Sequence, residues 1–307
     1  MMSFGNLRET TLDEILQLVD EFTFILYNTV NTSKASWNLL TCIFTPNKGM
    51  NTIRNRGFSM FSRFLHVIIR NLHHIYMIPQ MEYVSRHPEK YSEEQMYALD
   101  RLCIKRMIKP GHITTEGYGI HNLPDKGGYI MCPNHQGKYD ALGIMLTHSK
   151  PCSVVMDIDK SNTPLVKQFI NLVHGKRMNR TDAKQSIKII REMADEAKQG
   201  RKFIIFPEGG YHHNGNTTTE FKPGAFKCAV WSKVPIVPVV LIDSYRVFEE
   251  RTLKPIKTFV YYLKPLYYDD YKNMTTIEIA RTVQHRIQKI LNCYLAGAAP
   301  ASLEEME

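Results

Sequence analysis

The sequence predicts an α/β fold in which a mixed β-sheet is flanked by helices, with a helical region before it and an amphipathic helix after it. Between residues 111 and 270, short apolar runs alternate with helical stretches, which is typical of a sheet that carries helices on its faces. Outside this region, apolar residues recur at the period of an α-helix. The apolar content of 43% in 307 residues is sufficient for a substantial core.

The central region reads as an ordered series of strands and helices. Strands are predicted at residues 127–132, 152–158, 202–206, 234–242 and 259–263. Helices are predicted at residues 140–147, 163–172, 182–199 and 223–232. Thr181 or Asp182 is the expected N-cap of the third of these helices, and Gly200 is its expected stop. We therefore divide the chain into a helical region (1–110), an α/β domain (111–270), and a C-terminal amphipathic helix with a tail (271–307).

The N-terminal region is predicted to be helical, basic and membrane-docking. A first helix is predicted at residues 11–27, and no Asp or Glu occurs between residues 22 and 81. As a helix, residues 58–78 would carry Arg63, His66 and Arg70 on one side and apolar residues on the opposite side. This pattern is typical of a helix that lies in an anionic lipid interface. The alternative is a helix packed on the protein with a solvated basic face; the missing acids favour the membrane.

The composition narrows the compartment and the class of partner. Lys and Arg number 39 against 30 Asp and Glu, which favours an anionic partner but does not separate nucleic acid from phospholipid. The six cysteines are scattered without a C-x-x-C pair, which argues against a zinc ribbon or a disulfide framework and favours the cytosol. No window contains the ~18 uninterrupted apolar residues of a spanning helix, so we expect a peripheral position on a membrane.

A histidine and an aspartate lie five residues apart in the stretch Asn134-His135-Gln136-Gly137-Lys138-Tyr139-Asp140. The two can meet if His135 lies in a loop, as Pro133 suggests, and Asp140 lies in the first turn of the next helix. A carboxylate that accepts the imidazole N–H would leave the other ring nitrogen free to take a proton. A structural, hydrogen-bonded histidine is the alternative interpretation of this spacing.

An acidic residue and glycines directly follow the predicted strand that ends at residue 206. Ligands of an open α/β sheet gather beyond the carboxyl ends of its strands, and glycine lets the backbone approach a ligand closely. Glu208 and Gly209 are therefore candidate site residues, with an ordinary turn as the alternative.

Four stretches in this order resemble the signature blocks of the glycerolipid acyltransferase family, whose best-known members are the lysophosphatidic acid acyltransferases. The N-H-x4-D block is matched in full by Asn134, His135 and Asp140, and the second block loosely by Gly175 and Arg180. Residues 206–209 match the F-P-E-G block, residues 221–225 the F-K-x-G-A stretch, and residues 234–239 the V-P-[IV]-[IV]-P-V strand. The resemblance covers residues 112–265.

The resemblance implies a glycerolipid-acyltransferase-like fold and an O-acyltransferase of phospholipid biosynthesis. The enzyme would move an acyl group from acyl-CoA or acyl carrier protein to the hydroxyl of 1-acylglycerol-3-phosphate, giving phosphatidic acid. His135 would be the general base and Asp140 its partner, and Arg180 would hold the acceptor phosphate. Asn134, Glu208, Gly209 and Lys222 complete the expected acceptor site. The resemblance implies no metal or bound cofactor. From the basic helix, the scattered cysteines and the lack of a spanning segment we expect a peripheral location on the cytoplasmic face of a membrane.

The third block departs from the family pattern. The family often continues with Thr-Arg-Ser after the glycine, whereas this chain continues with Gly210, Tyr211 and His212. The arginine that would help to bind phosphate is absent, and His212, His213 and Lys222 are the candidates to replace it. A different lysophospholipid or lipid hydroxyl is therefore the alternative acceptor.

Three other interpretations use the same residues. Cys132 lies close enough in sequence to His135 for a Cys–His nucleophile, although a buried thiol is the simpler interpretation. His135, His212 and His213 could suggest a metal site, but they lack the spacing of the H-E-x-x-H type. A non-catalytic protein that binds membranes or nucleic acid is the third; nucleic acid is not expected, because the aromatic residues lie on the apolar side of the basic helix.

Overall fold

The computed structural model describes residues 62–163, 165–250 and 252–306. The helix predicted at residues 11–27 and the first residues of the predicted 58–78 helix lie outside this range. The α-helices are α1 (Ser62–Asn71), α2 (Met77–Arg86), α3 (Glu93–Ile108), α4 (Asp140–Thr147), α5 (Ile158–Ser161), α6 (Val166–Leu172), α7 (Ala183–Lys198), α8 (Lys227–Ser232), α9 (Arg246–Glu249), α10 (Tyr268–Tyr271) and α11 (Thr276–Leu295). The strands are β1 (Ile113–Tyr118), β2 (Ile130–Pro133), β3 (Ser153–Asp157), β4 (Lys176–Met178), β5 (Phe203–Ile204), β6 (Ile236–Ile242) and β7 (Ile256–Tyr262).

The seven strands form one mixed sheet in the order β1-β7-β6-β2-β5-β3-β4. Strands β6, β2, β5, β3 and β4 run parallel to one another, whereas β7 is antiparallel to β6. The predicted α/β fold with a mixed sheet is therefore confirmed. Because five neighbouring strands share one direction, the segments that follow β2, β3, β4, β5 and β6 all emerge at the same edge of the sheet.

Hydrophobic side chains cover both faces of the sheet. Along β2, Ile130 and Cys132 enter one core cluster with α7, α8 and α11, while Met131 enters the other with α2, α3 and α4. This alternation is the period-two geometry of a strand. Every residue of β6 is buried, which explains its continuous apolar sequence. The helices on both sides of the predicted α/β domain thus contribute to the same cores as the domain itself.

The expected helix signals act where the sequence places them. The Asp182 side chain caps α7 by accepting hydrogen bonds from the backbone N–H groups of Lys184 and Gln185, both at 3.0 Å. Gly200 follows this helix with a φ of +107°, a conformation that favours glycine. Thr275 and Glu278 form a capping box at the start of α11.

Several predicted boundaries were wrong. The helix predicted at residues 163–172 begins later, as α6 (Val166–Leu172), and the short α5 before it was not predicted. The first four residues of the helix predicted at 223–232 form a 3-10 turn, Pro223–Phe226, before α8. Strands β1 and β4 were not predicted, because their polar residues, such as Thr114 and Arg177, hide the strand pattern. Both lie at the edges of the sheet, where polar side chains reach solvent.

The basic helix α1 packs on the rest of the protein through Val67 and Asn71. Val67 is buried, and the Asn71 side chain donates hydrogen bonds to the carbonyls of Val67 (2.7 Å) and Met107 (3.1 Å). The apolar residues Ile69 and Leu72 are 55% and 50% exposed. A 3-10 turn, Leu72–His74, separates α1 from α2, so the segment predicted as one helix at residues 58–78 is interrupted. No helix among the described residues has the length and hydropathy to span a bilayer.

Candidate active site

The candidate residues gather at the shared edge of the parallel strands. His135 follows β2, Asp157 ends β3, Arg180 follows β4, and Glu208 follows β5. Asp140 opens α4, which begins a few residues beyond β2. The topology therefore converts four separate sequence blocks into one site, as expected for an open α/β sheet.

His135 and Asp140 form the predicted pair. The His135 Nδ1 atom lies 2.7 Å from Asp140 Oδ2; the Asp140 side chain is 1% exposed and that of His135 is 19% exposed. Because a carboxylate only accepts, Nδ1 is the donor, and Nε2 of the neutral ring keeps a free lone pair. The imidazole packs against Phe206 and Tyr211, with ring centroids at 4.2 Å and 5.4 Å. The ring is thus held in place with one nitrogen available as a base.

The Asp140 carboxylate also organises the loop that carries His135. Its Oδ2 atom accepts hydrogen bonds from the backbone N–H groups of Gln136 (2.5 Å) and Gly137 (2.9 Å), and its Oδ1 accepts one from the Ser244 hydroxyl. Its position in the first turn of α4 is favourable for a negative charge. These donors compensate the cost of burying the carboxylate beside the histidine.

Asn134 is not placed to bind substrate, which corrects the expectation for this residue. Its side chain is fully buried, and it donates to the Leu241 carbonyl (3.0 Å) and accepts from the Leu241 N–H (2.7 Å). Both ends of the amide are therefore paired with the backbone of β6. Asn134 fixes the end of β2 against β6 and so sets the position of the next residue, His135.

Glu208, which is expected to belong to the acceptor site, makes its hydrogen bonds within the protein. It is 1% exposed; its Oε1 accepts from the His135 backbone N–H (2.8 Å), and its Oε2 accepts from the N–H (3.0 Å) and the hydroxyl of Thr219. The carboxylate thereby connects the ends of β2 and β5 with the segment before Lys222. It shapes the site by holding these three segments together.

Two cationic side chains flank the glycines that follow Glu208. Gly209 has a φ of +72°, and a Cβ there would lie 3.1 Å from Lys222 Cε, which explains why glycine is needed. A Cβ on Gly210 would lie 3.4 Å from Arg180 Nη1. The Arg180 guanidinium also donates from Nε to Asp157 Oδ2 (3.1 Å) and from Nη1 to the Gly209 carbonyl. The structure brings Arg180, Lys222 and Gly209 together beside the His135 loop.

His212, His213 and Lys222, the candidates to replace the absent phosphate-binding arginine, differ in their contacts. His213 Nδ1 lies 2.7 Å from Glu249 Oε1, so this ring is paired with a carboxylate of α9. His212 is exposed, whereas the stem of Lys222 lies over Gly209. Within the described part of the chain, no carboxylate lies at ion-pair distance from Lys222. Lys222 is therefore the candidate whose position fits best.

The rival interpretations of Cys132 and the histidines lose their support. Cys132 is fully buried in the core cluster that faces α7 and α11, and burial raises the pKa of its thiol far above the usual value. A thiol of this kind is a poor nucleophile at neutral pH. No cluster of three or more His, Cys, Asp or Glu suited to a metal ion occurs among the residues that the structure describes.

A buried polar network behind the dyad was missed by the sequence analysis. Ser244 donates from its N–H to Gln136 Oε1 (2.9 Å), and Gln136 Nε2 donates to Asn216 Oδ1 (2.8 Å). Asn216 in turn donates to Asp243 Oδ1 at 2.7 Å. Ser244 and Asp243 follow β6 directly, so the rule that ligands and site residues lie beyond strand ends would have found them if applied to the fourth block.

A histidine held by a buried carboxylate at the carboxyl edge of an α/β sheet can take up and return a proton. The family comparison covers the same residues. Residues 114–242 match the family model described as Acyltransferase. The predicted resemblance of this part of the chain to the glycerolipid acyltransferases is therefore confirmed.

Curated relatives are named 1-acyl-sn-glycerol-3-phosphate acyltransferase. The alpha form of Mus musculus is 29% identical over 58% of this chain and 64% of its own length, and that of Ovis aries is 31% identical over 56% and 61%. The Saccharomyces cerevisiae enzyme is 30% identical over 46% of this chain and 50% of its own length. The chain thus spans between half and two-thirds of these relatives.

The fold is shared with a solved structure. The crystal structure of PlsC, the 1-acyl-sn-glycerophosphate (LPA) acyltransferase of Thermotoga maritima, superposes with a TM-score of 0.65 at 19% identity. The superposition covers 81% of this chain and all of that one. At this identity the likeness concerns the architecture, a mixed sheet with helices on both faces.

Ser244 is expected to position the His135–Asp140 pair, because its hydroxyl donates a hydrogen bond to Asp140. We expect Ser244→Ala to lower kcat roughly tenfold, equivalent to about 1.4 kcal/mol, with KM nearly unchanged, because the dyad loses a positioning bond that does not contact substrate. The matched control is Ser232→Ala, which removes an equally buried hydroxyl that donates to the Cys228 carbonyl at 2.7 Å within α8. Steady-state kinetics and denaturant unfolding of both variants separate the effects. Equal losses of kcat in the two variants would contradict a positioning role.

Proposed function

We propose that the protein transfers a fatty acyl group from an acyl thioester to the free hydroxyl of 1-acylglycerol-3-phosphate, forming phosphatidic acid. The observation that carries the proposal is the His135–Asp140 pair, with its 2.7 Å Nδ1–Oδ2 contact, inside the segment that matches the Acyltransferase family. The names of the relatives supply the acceptor. The donor is acyl-CoA or acyl carrier protein, and no bound cofactor takes part.

The chemistry follows from the free nitrogen of the histidine. His135 Nε2 takes the proton of the acceptor hydroxyl while the oxygen attacks the thioester carbonyl, and Asp140 stabilises the imidazolium that forms. The tetrahedral intermediate then expels the thiolate, which recovers the proton from Nε2. The new ester bond replaces the thioester bond, and the free thiol of the donor leaves. Every proton that moves in this scheme passes through one imidazole.

Arg180 and Lys222 form the proposed phosphate-binding pair. The Lys222 stem lies next to Gly209 and the Arg180 guanidinium next to Gly210, so an ammonium and a guanidinium can reach the same phosphate. Lys222 takes the part of the arginine that the family carries after the third-block glycine. Gly209 supports this arrangement because it leaves room for the lysine stem.

A second acceptor class is favoured by one specific observation. Arg180 already pairs with Asp157, so the site offers a phosphate less positive charge than its two cations suggest. The same chemistry on a different lysophospholipid or lipid hydroxyl is therefore the alternative function.

The direct test offers labelled acyl-CoA and acyl carrier protein with lysophosphatidic acid, other lysophospholipids and glycerol 3-phosphate. We expect transfer to lysophosphatidic acid that falls by about three orders of magnitude in His135→Ala, since a general base contributes roughly 10²–10⁴-fold. The matched control is His285→Ala, an exposed histidine of α11. Transfer only to another acceptor would replace the substrate and keep the mechanism. Undiminished transfer by His135→Ala, or none to any acceptor by the wild type, would contradict the proposal.

We further propose that residues 1–110 dock the enzyme on the cytoplasmic face of an anionic membrane. Residues 111–270 form the catalytic domain, and residues 271–307 complete the core of that domain. Support comes from the apolar surface at Ile69, Leu72 and Tyr76, which are 55%, 50% and 53% exposed. Arg70 lies exposed beside it, in a stretch of the sequence without acids. Exposed apolar residues with basic neighbours suit an interface with anionic lipid.

The docking prediction is tested with Ile69→Ser/Leu72→Ser. Burying a side chain of this size contributes roughly 1.5–3 kcal/mol, so we expect at least a tenfold weaker partition to phosphatidylglycerol-containing vesicles. The control is Leu295→Ser at the end of α11, an apolar side chain that is 57% exposed. Co-sedimentation measures the bound fraction. Equal binding by the wild type and the double variant would refute docking through this surface.

A further inference from the structure

Asp157 forms an ion pair with Arg180, the residue whose guanidinium is proposed to hold the acceptor phosphate. Strands β3 and β4 are parallel neighbours, with Asp157 opposite Met178, so the residue that ends β3 lies close to the segment after β4. Arg180 Nε lies 3.1 Å from Asp157 Oδ2, and the two side chains are 52% and 22% exposed. The other contact of the guanidinium is with the Gly209 carbonyl. Both neighbours of Arg180 are therefore hydrogen-bond acceptors, as a phosphate is.

Asp157 carries its charge at neutral pH. Partial burial acts to raise its pKa, but hydrogen bonds from the Asp159 N–H and from Arg180, together with the charge of Arg180, hold the pKa below its usual 3.8. The carboxylate also accepts from the Asp159 N–H at 3.1 Å as the N-cap of α5. The aspartate is thus fixed from two sides and faces the headgroup site as an anion.

The headgroup site holds opposite charges in a defined arrangement. Arg180 and Lys222 flank Gly209–Gly210. Asp157 is paired with Arg180 Nε and offsets part of the attraction of the guanidinium for an incoming anion. A phosphomonoester with two negative charges meets repulsion from this carboxylate, whereas a zwitterionic phosphodiester can present its phosphate to Arg180 and its ammonium to Asp157.

We propose that Asp157 is a specificity-determining residue that weakens the binding of phosphomonoester headgroups and favours zwitterionic phosphodiester headgroups of the acceptor lysophospholipid. The inference rests on the proposed function in taking this site as the acceptor site. The phosphomonoester remains an acceptor, and Asp157 changes its binding affinity relative to that of acceptors that carry an ammonium. The residue acts through charge and leaves the dyad unchanged.

The test measures binding without turnover on the full chain. The probes are sn-glycerol 3-phosphate for the phosphomonoester and glycerophosphoethanolamine for the zwitterion, with dissociation constants from calorimetry. Asp157→Asn removes the charge and keeps an oxygen that can cap α5. The matched control is Asp159→Asn, which removes an exposed charge two residues away. An exposed ion pair of this kind corresponds to an effect of about two- to fivefold.

We expect Asp157→Asn to bind sn-glycerol 3-phosphate about two- to fivefold more tightly and glycerophosphoethanolamine about two- to fivefold more weakly, with Asp159→Asn close to the wild type. In an Arg180→Gln background, the gain for the phosphomonoester should become smaller, because the share that comes from freeing the guanidinium is lost and only the direct repulsion remains to be removed. Equal changes in both Asn variants, an unchanged preference in Asp157→Asn, or no binding of either probe by any variant would overturn the inference. If the two dissociation constants shift as expected but the protein transfers no acyl group, the inference about Asp157 is upheld and the proposed function is refuted.

Discussion

The structure of the site depends on one carboxylate that is buried where a charge is costly. Asp140 is 1% exposed and accepts four hydrogen bonds, from the His135 ring, from two successive backbone N–H groups and from the Ser244 hydroxyl. An ionised carboxylate without such donors would not tolerate this burial. The same bonds start α4, fold the loop after β2 and align the imidazole. Chain conformation and catalytic geometry are therefore set by a single group.

The residues of the site divide by exposure into supports and ligand-facing groups. Asn134, Gln136 and Glu208 are buried, and each satisfies its side chain with protein partners across the ends of β2, β5 and β6. His135, Arg180 and Lys222 remain partly or largely exposed at the same edge. Rigid buried supports under a few accessible groups constitute a preorganised site, which lowers the cost of reaching the reactive geometry. Motif residues thus divide into accessible groups, which are proposed to meet the substrate, and buried groups that position their neighbours.

The sequence predicted the parts of this arrangement that depend on local spacing. The five-residue separation of His135 and Asp140, the Asp182 cap and the periods of the central strands are all local signals, and the structure agrees with them. The bonds from Ser244 to Asp140 and from Arg180 to Asp157 join residues that only the sheet brings together, so no spacing rule reveals them. Asn134 and Glu208 were recognised as site residues, but whether a motif residue faces substrate or backbone depends on burial. The exposure of Ile69 and Leu72 follows from docking through Val67 and Asn71, which helical periodicity alone does not determine.

The assignment of His135 Nε2 as the general base is tested most directly by finding which ring nitrogen carries the proton. Nitrogen-15 NMR of histidine-labelled protein, at a pH where the ring is neutral, distinguishes a protonated Nδ1 from a protonated Nε2. We expect a proton on Nδ1, donated to Asp140, and an unprotonated Nε2 that is ready to act as the base. In Asp140→Asn, where the carboxylate no longer fixes the ring, the resonances should lose this pattern. A proton on Nε2 with a bare Nδ1 in the wild-type protein would contradict the account, because the nitrogen assigned to catalysis would already be occupied.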